Sequence, residues 1–93
     1  MATIAARLAI TGRVQGVGFR AWTCQQARRR GVRGWVRNRV DGSVEVLIIG
    51  DPAAVEAMAE ACRQGPEMAS VAGVRRMPAE DDGSKAFDQR GTA

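Results

Sequence analysis

The chain has 93 residues, enough for one small domain around one core, and no apolar run approaches the ~20 residues that would span a bilayer as a helix. Its apolar fraction of 45% is ordinary for a globular protein. Basic residues number 14 against 10 acidic ones for a net charge of +4, and histidine is absent, which excludes Ser-His-Asp and Cys-His nucleophilic sites.

The opening residues have no basic stretch ahead of their apolar ones and are interrupted by Arg7, unlike a secretory signal, so a cytoplasmic location is expected. From Thr3 to Arg13 the sequence alternates, with Ile4, Ala6, Leu8 and Ile10 on one side and Ala5, Arg7, Ala9 and Thr11 on the other. That is the period of a half-buried strand. Residues Gly12 to Arg20, reading Gly-Arg-Val-Gln-Gly-Val-Gly-Phe-Arg, then form a loop. Its three glycines, Gly12, Gly16 and Gly18, let backbone N–H groups turn toward one centre, and the helix that follows adds the positive end of its dipole. Arg20 supplies a planar fork of donors suited to two oxygens of a phosphoryl or carboxylate group. Phosphate binding is the expectation.

A helix is predicted from about Phe19 to Arg30, with Phe19, Thr23, Ala27 and Cys24 inward and Gly31 as left-handed cap. Arg28, Arg29 and Arg30 read as solvated surface ahead of a nucleic-acid patch. Val32 to Val40 predicts a second strand, and Asp41-Gly42 signals a tight hairpin into an antiparallel strand, Ser43 to Ile49. That third strand is apolar on much of both sides and is expected at the sheet centre. Asp51 as N-cap and Pro52 at the first helical position open a second helix to about Gln64, its inner face formed by Val55, Met58, Ala59 and Cys62. Cys24 and Cys62 stand far apart with no Cys-x-x-Cys pair, so they read as core residues and no metal cluster is expected. Ala69 to Met77 predicts a strand interrupted at Gly73 in the manner of a bulge. Pro78 to Ser84 is acidic and turn-rich, and Phe87 is assigned to a short last strand.

The order strand, helix, strand, strand, helix, strand predicts an α+β fold. The expected form is the ferredoxin-like α/β sandwich, an antiparallel sheet with both helices on one face and the other face partly open, as a single domain over residues 1–93. In this topology the second strand can bring Asn38 to the same end of the sheet as the glycine loop. Two readings of Asn38 stand: an amide that orients a water without titrating, or a strand-end residue bonding locally beside the turn.

Two motifs carry a family resemblance. The first is Ile10-Thr11-Gly12-Arg13-Val14-Gln15-Gly16-Val17-Gly18-Phe19-Arg20. The second is Gly34-Trp35-Val36-Arg37-Asn38, continued by Asp41-Gly42-Ser43-Val44-Glu45 and Gly50. On these the chain resembles the acylphosphatases from about Leu8 to Met77, and two long motifs in the right order are a specific signal. The resemblance implies the ferredoxin-like fold and hydrolysis of small acyl phosphates to carboxylate and inorganic phosphate, with no metal or other cofactor. It also implies that Arg20 and the loop N–H groups of Gln15, Gly16, Val17, Gly18 and Phe19 bind the phosphoryl oxygens, and that Asn38 orients the attacking water. A monomer acting on a small acyl phosphate, with no membrane or nucleic-acid partner, is the corresponding expectation. Similar domains also occur inside larger maturation enzymes that process carbamoyl phosphate. One departure stands out: members commonly end in Phe-x-aliphatic-Arg, whereas Phe87-Asp88-Gln89-Arg90 puts glutamine at the aliphatic position, so the pairing of the last strand is left open. The rival from another class is an RNA-binding sheet, disfavoured by an aromatic content of 4%.

Overall fold

A computed structural model describes residues 2–93. The first strand, β1 (Ile4–Arg13), follows the alternation: Ala6, Leu8 and Ile10 are buried, while Arg7 and Thr11 are exposed. Helix α1 (Phe19–Arg30) buries Phe19, Thr23, Cys24 and Ala27 and ends at Gly31, whose φ of 70° and ψ of 26° are left-handed. Strand β2 (Arg33–Asn38) and strand β3 (Val44–Gly50) pair antiparallel, with Asn38 opposite Val44 and Arg33 opposite Ile49. Helix α2 (Pro52–Gln64) begins where Asp51 accepts from the Ala53 N–H at 3.2 Å and Pro52 occupies the first turn. It buries Val55, Met58, Ala59 and Cys62. Strand β4 (Ser70–Pro78) and strand β5 (Phe87–Gln89) complete the sheet.

The sheet order is β4-β1-β3-β2-β5. Strand β3 occupies the centre as its two-sided apolar sequence predicts, with Val44 to Ile49 all buried. Both helices cover one face, where Leu8, Ile10, Val36, Val46 and Ile48 meet Phe19, Val55 and Met58. Full burial of each such side chain contributes ~1.5–3 kcal/mol, which is what holds so small a chain together. The topology is the ferredoxin-like α+β sandwich, with two corrections.

The first correction concerns the sheet, which is mixed and not wholly antiparallel: β5 runs parallel to β2, with Gly34 opposite Phe87 and Val36 opposite Gln89. The reason is the path of residues 79–86. The chain leaves β4 at one edge, crosses the helix-free face and enters beside β2 at the other edge. On the way Trp35 Nε1 donates to Asp82 at 3.0 Å, Arg33 pairs with Asp81 at 2.6 Å, and Ala79 packs on the Trp35, Leu47 and Ile49 cluster. The Trp35 side of the face expected to be partly open is therefore covered. The last strand is firmly paired: Phe87 is buried, Arg28 donates to its carbonyl at 3.0 Å, and Arg90 N–H donates to Val36 at 2.8 Å.

The second correction concerns the hairpin, whose loop has three residues and not two. Arg39 N–H donates to the Ser43 carbonyl at 2.8 Å, and the Gly42 N–H donates to the Arg39 carbonyl at 3.1 Å, with Gly42 at a φ of 94°. This is a turn completed by a glycine bulge. The Asp41 carboxylate fixes it by accepting from both Ser43 N–H, at 2.9 Å, and Ser43 Oγ, at 2.6 Å. The β4 irregularity falls beside the predicted Gly73: Thr11 faces Gly73 and Gly12 faces Val71, leaving Ala72 as the extra residue.

Candidate active site

The site begins where β1 ends. Gly12, grouped with the loop glycines in the sequence reading, belongs instead to β1, at a φ of 116° against the β4 bulge. A Cβ there would collide with the Ser70 carbonyl. Val14 is fully buried and pins the start of the loop to the core. Gly16 and Gly18, at φ values of 73° and 77°, turn the backbone through the left-handed region that L-residues disfavour.

Gly18 is the N-cap of α1 and offers no side-chain acceptor, and no acidic residue stands in the first turn. The positive end of the helix is therefore uncompensated by the chain itself. Among the described residues, no backbone carbonyl accepts from the N–H groups of residues 15–19. Those donors need a partner, and water or an anion is what remains.

A cavity of about 130 Å³ lies over this loop, lined by Val14, Gly16, Gly18, Phe19, Arg20, Ala21, Asn38 and Gln89. At roughly four water volumes, it is the size of a phosphoryl group and too small for a drug-sized ligand. The structure thus brings Arg20, from the first turn of α1, and Asn38, from the end of β2, to one cavity. Arg20 is half-buried and forms no ion pair among the described residues, whereas Arg7, Arg33, Arg37, Arg39, Arg63, Arg76 and Arg90 all do. The backbone of Asn38 is held from two sides: it pairs with Val44 in β3, and its carbonyl accepts from Ala93 N–H at 3.0 Å.

The predicted loop residues divide. Gly16, Gly18 and Phe19 line the cavity, whereas the side chains of Gln15 and Val17 do not. Gln15 reaches the hairpin, its Nε2 donating to the carbonyls of Arg39 and Ser43, both at 2.8 Å. Val17 packs against the helix-side core. Anything these two give a ligand comes from their N–H groups.

Three lining residues were not assigned to the site by the sequence reading: Val14, Ala21 and Gln89. The signal for Gln89 was its spacing of two from buried Phe87, which puts both on the helix side of a strand. The position read as a buried aliphatic site is here the rim of the cavity.

No group of three or more His, Cys, Asp or Glu residues able to hold a metal occurs among the described residues. A shallower depression of about 710 Å³ lies on the outer surface of α1, lined by residues from that helix alone, including Trp22 and Arg29. No second element brings polar groups to it, so the smaller cavity is the better candidate despite its size.

The family model for acylphosphatase matches residues 6–89. The chain belongs to the acylphosphatase family. An acylphosphatase of Acidiphilium cryptum is 48% identical over 89 residues, covering 96% of this chain and 98% of that protein. An acylphosphatase of Rhizobium etli is 60% identical over 70 residues, covering 75% and 74% of the two chains. The crystal structure of acylphosphatase from Bacillus subtilis superposes with a TM-score of 0.89 at 34% identity, covering 94% of this chain and 98% of that one. The acylphosphatase match reaches well past Met77, where the resemblance seen in the motifs ended, and takes in β5 and Gln89.

Proposed function

We propose that the chain hydrolyses small acyl phosphates to a carboxylate and inorganic phosphate, without a metal, at the cavity over the glycine loop. The observation that carries this reading is the convergence of Arg20 and Asn38 on a phosphoryl-sized cavity bordered by unpartnered backbone N–H groups.

Phosphoryl transfer asks a protein mainly for in-line positioning and for neutralisation of charge on the equatorial oxygens. Arg20 and the N–H groups of Gln15 to Phe19 hold those oxygens. The Asn38 amide, which both donates and accepts, orients a water opposite the leaving group. The water oxygen forms the new bond to phosphorus, the bond from phosphorus to the acyl oxygen breaks, and its electron pair leaves with the carboxylate. The water proton passes to a phosphate oxygen, because neither Arg20 nor Asn38 acts as a base near neutral pH. A carboxylate is a good leaving group, so no general acid is required at the departing oxygen. Two free, buried cysteines suit the reducing cytoplasm in which we place the protein.

The test is benzoyl phosphate hydrolysis in buffer containing a chelator, compared between the unaltered chain and Arg20→Ala. The expected result is turnover that inorganic phosphate inhibits and that Arg20→Ala lowers by about 10²-fold or more in kcat/KM. Turnover that survives Arg20→Ala would place the chemistry elsewhere.

A further inference from the structure

We propose that the uncovered part of the helix-free sheet face is a second anion site, suited to a compact anion carrying two adjacent phosphoryl groups. It does not depend on the hydrolytic reading, since the sheet separates the two places. A groove of about 330 Å³ lies there, lined by Arg7, Arg37, Arg39 and Arg75 against the carboxylates Glu45 and Asp41.

The charge is lopsided. Glu45 is 8% exposed and is shared by three guanidinium groups: Arg37 Nε at 2.7 Å, Arg39 Nη1 at 3.1 Å and Arg7 Nε at 3.6 Å. One negative charge cannot neutralise three positive ones, and even counting Asp41, whose charge Ser43 hydrogen-bonds but does not cancel, two carboxylates stand against the four arginines of the groove. Arg75 joins the groove from β4 with no ion pair among the described residues. Like charges gathered on one sheet face repel, and a bound anion relieves that repulsion.

The donors for such an anion are in place. Arg7 and Arg37 meet Glu45 through Nε, so the terminal nitrogens of each fork remain for another acceptor. The side chains of Arg7 and Arg39 are 44% and 42% exposed, within reach of a solute.

Spacing and charge together favour the ligand. Arg75 on β4 and Arg37 on β2 are separated by β1 and β3, three strand spacings or about 14 Å between backbones. Arginines reaching in from both flanks bring their donors toward a common centre, and four guanidinium groups against two carboxylates favour the more highly charged, oxygen-rich diphosphate over a single phosphate. The nucleic-acid alternative lacks a stacking platform here. Trp35, the aromatic on this face, has Arg37 over its ring at 4.7 Å and Arg90 at 4.9 Å.

The experiment is calorimetric titration of pyrophosphate at low ionic strength into Arg20→Ala, which disables the cavity, and into Arg20→Ala carrying Arg7→Gln, Arg75→Gln or both. Arg7 and Arg75 are exposed, and matching urea midpoints establish that the variants fold. Expected are retained, salt-sensitive binding in Arg20→Ala, about fivefold weaker for each added substitution and weaker again for the pair, with inorganic phosphate and a short single-stranded oligonucleotide both binding less well than pyrophosphate. Loss of binding with Arg20→Ala alone, or indifference to the paired substitutions, overturns the site. Phosphate or oligonucleotide binding as tight as pyrophosphate overturns the ligand class.

Discussion

Arg37 and Asn38 are neighbours in β2 that serve opposite faces of the sheet: Asn38 lines the cavity on the helix side, and Arg37 binds Glu45 at 2.7 Å on the other. The two-residue period of a strand imposes this division, so substitutions at adjacent positions separate cavity from groove. Asn38→Ala is expected to lower kcat for benzoyl phosphate by about 10²-fold, while the inhibition constant for inorganic phosphate changes little. Steady-state kinetics with phosphate as inhibitor decide it, and an intact kcat would remove Asn38 from the chemistry.

The cavity lining contains one ionisable residue, Arg20, and no carboxylate. With no side chain there that titrates near neutrality, kcat should be flat from about pH 5 to 8 once substrate ionisation is corrected for. A steep limb surviving that correction would reveal a general base outside the lining.

Gln15 ties the loop to the hairpin through two hydrogen bonds of 2.8 Å. Gln15→Ala leaves the Arg39 and Ser43 carbonyls without these donors and should cost about 1–3 kcal/mol in urea unfolding. Gln15→Glu should cost more at neutral pH, because a carboxylate would face the same two carbonyls. The reverse order of stability would show that packing, not hydrogen bonding, is what Gln15 contributes.

The thiol of Cys62 is pushed up from 9.0 to about 12 by burial, against a smaller opposing pull from Arg30. Because the folded-state value lies above the unfolded one, its stabilising contribution is complete below about pH 9 and disappears as pH rises toward 12. Near pH 11 the loss is about 2–3 kcal/mol. Denaturant titrations across this range should show the decline, with a shallower one for Cys62→Ala. An equally steep decline in that variant would assign it to other groups.

What the sequence revealed follows the range of the forces involved. Both helices were legible because their signals are local: Gly31 and Asp51-Pro52 mark ends, and Val55, Met58, Ala59 and Cys62 mark a face. The parallel placement of β5 was not, because three residues cannot choose their own neighbour. It depends on how residues 79–86 dock on Trp35, a contact made across 47 positions of chain by Asp82. The loop and Asn38 were readable as motif positions, and their meeting follows from β3, whose Val44 pairs with Asn38 on one side and with Ile10 of β1 on the other. Gln15 gave no sign that its side chain would turn to that hairpin, since its partners are carbonyls, which every residue carries. Gly12 was misgrouped because a glycine forced by a neighbouring strand looks, in sequence, like one forced by a loop.

Gly16 and Gly18 carry a different lesson from Gly12. A Cβ at either would meet nothing within 4 Å, yet both hold positive φ. The restriction there is one of handedness and not of room. At these two points the loop follows the mirror image of the path L-residues prefer, and in a ribosomally made chain only an achiral residue takes that path freely. The shape of the cradle is thus set by stereochemistry, before any side chain is chosen.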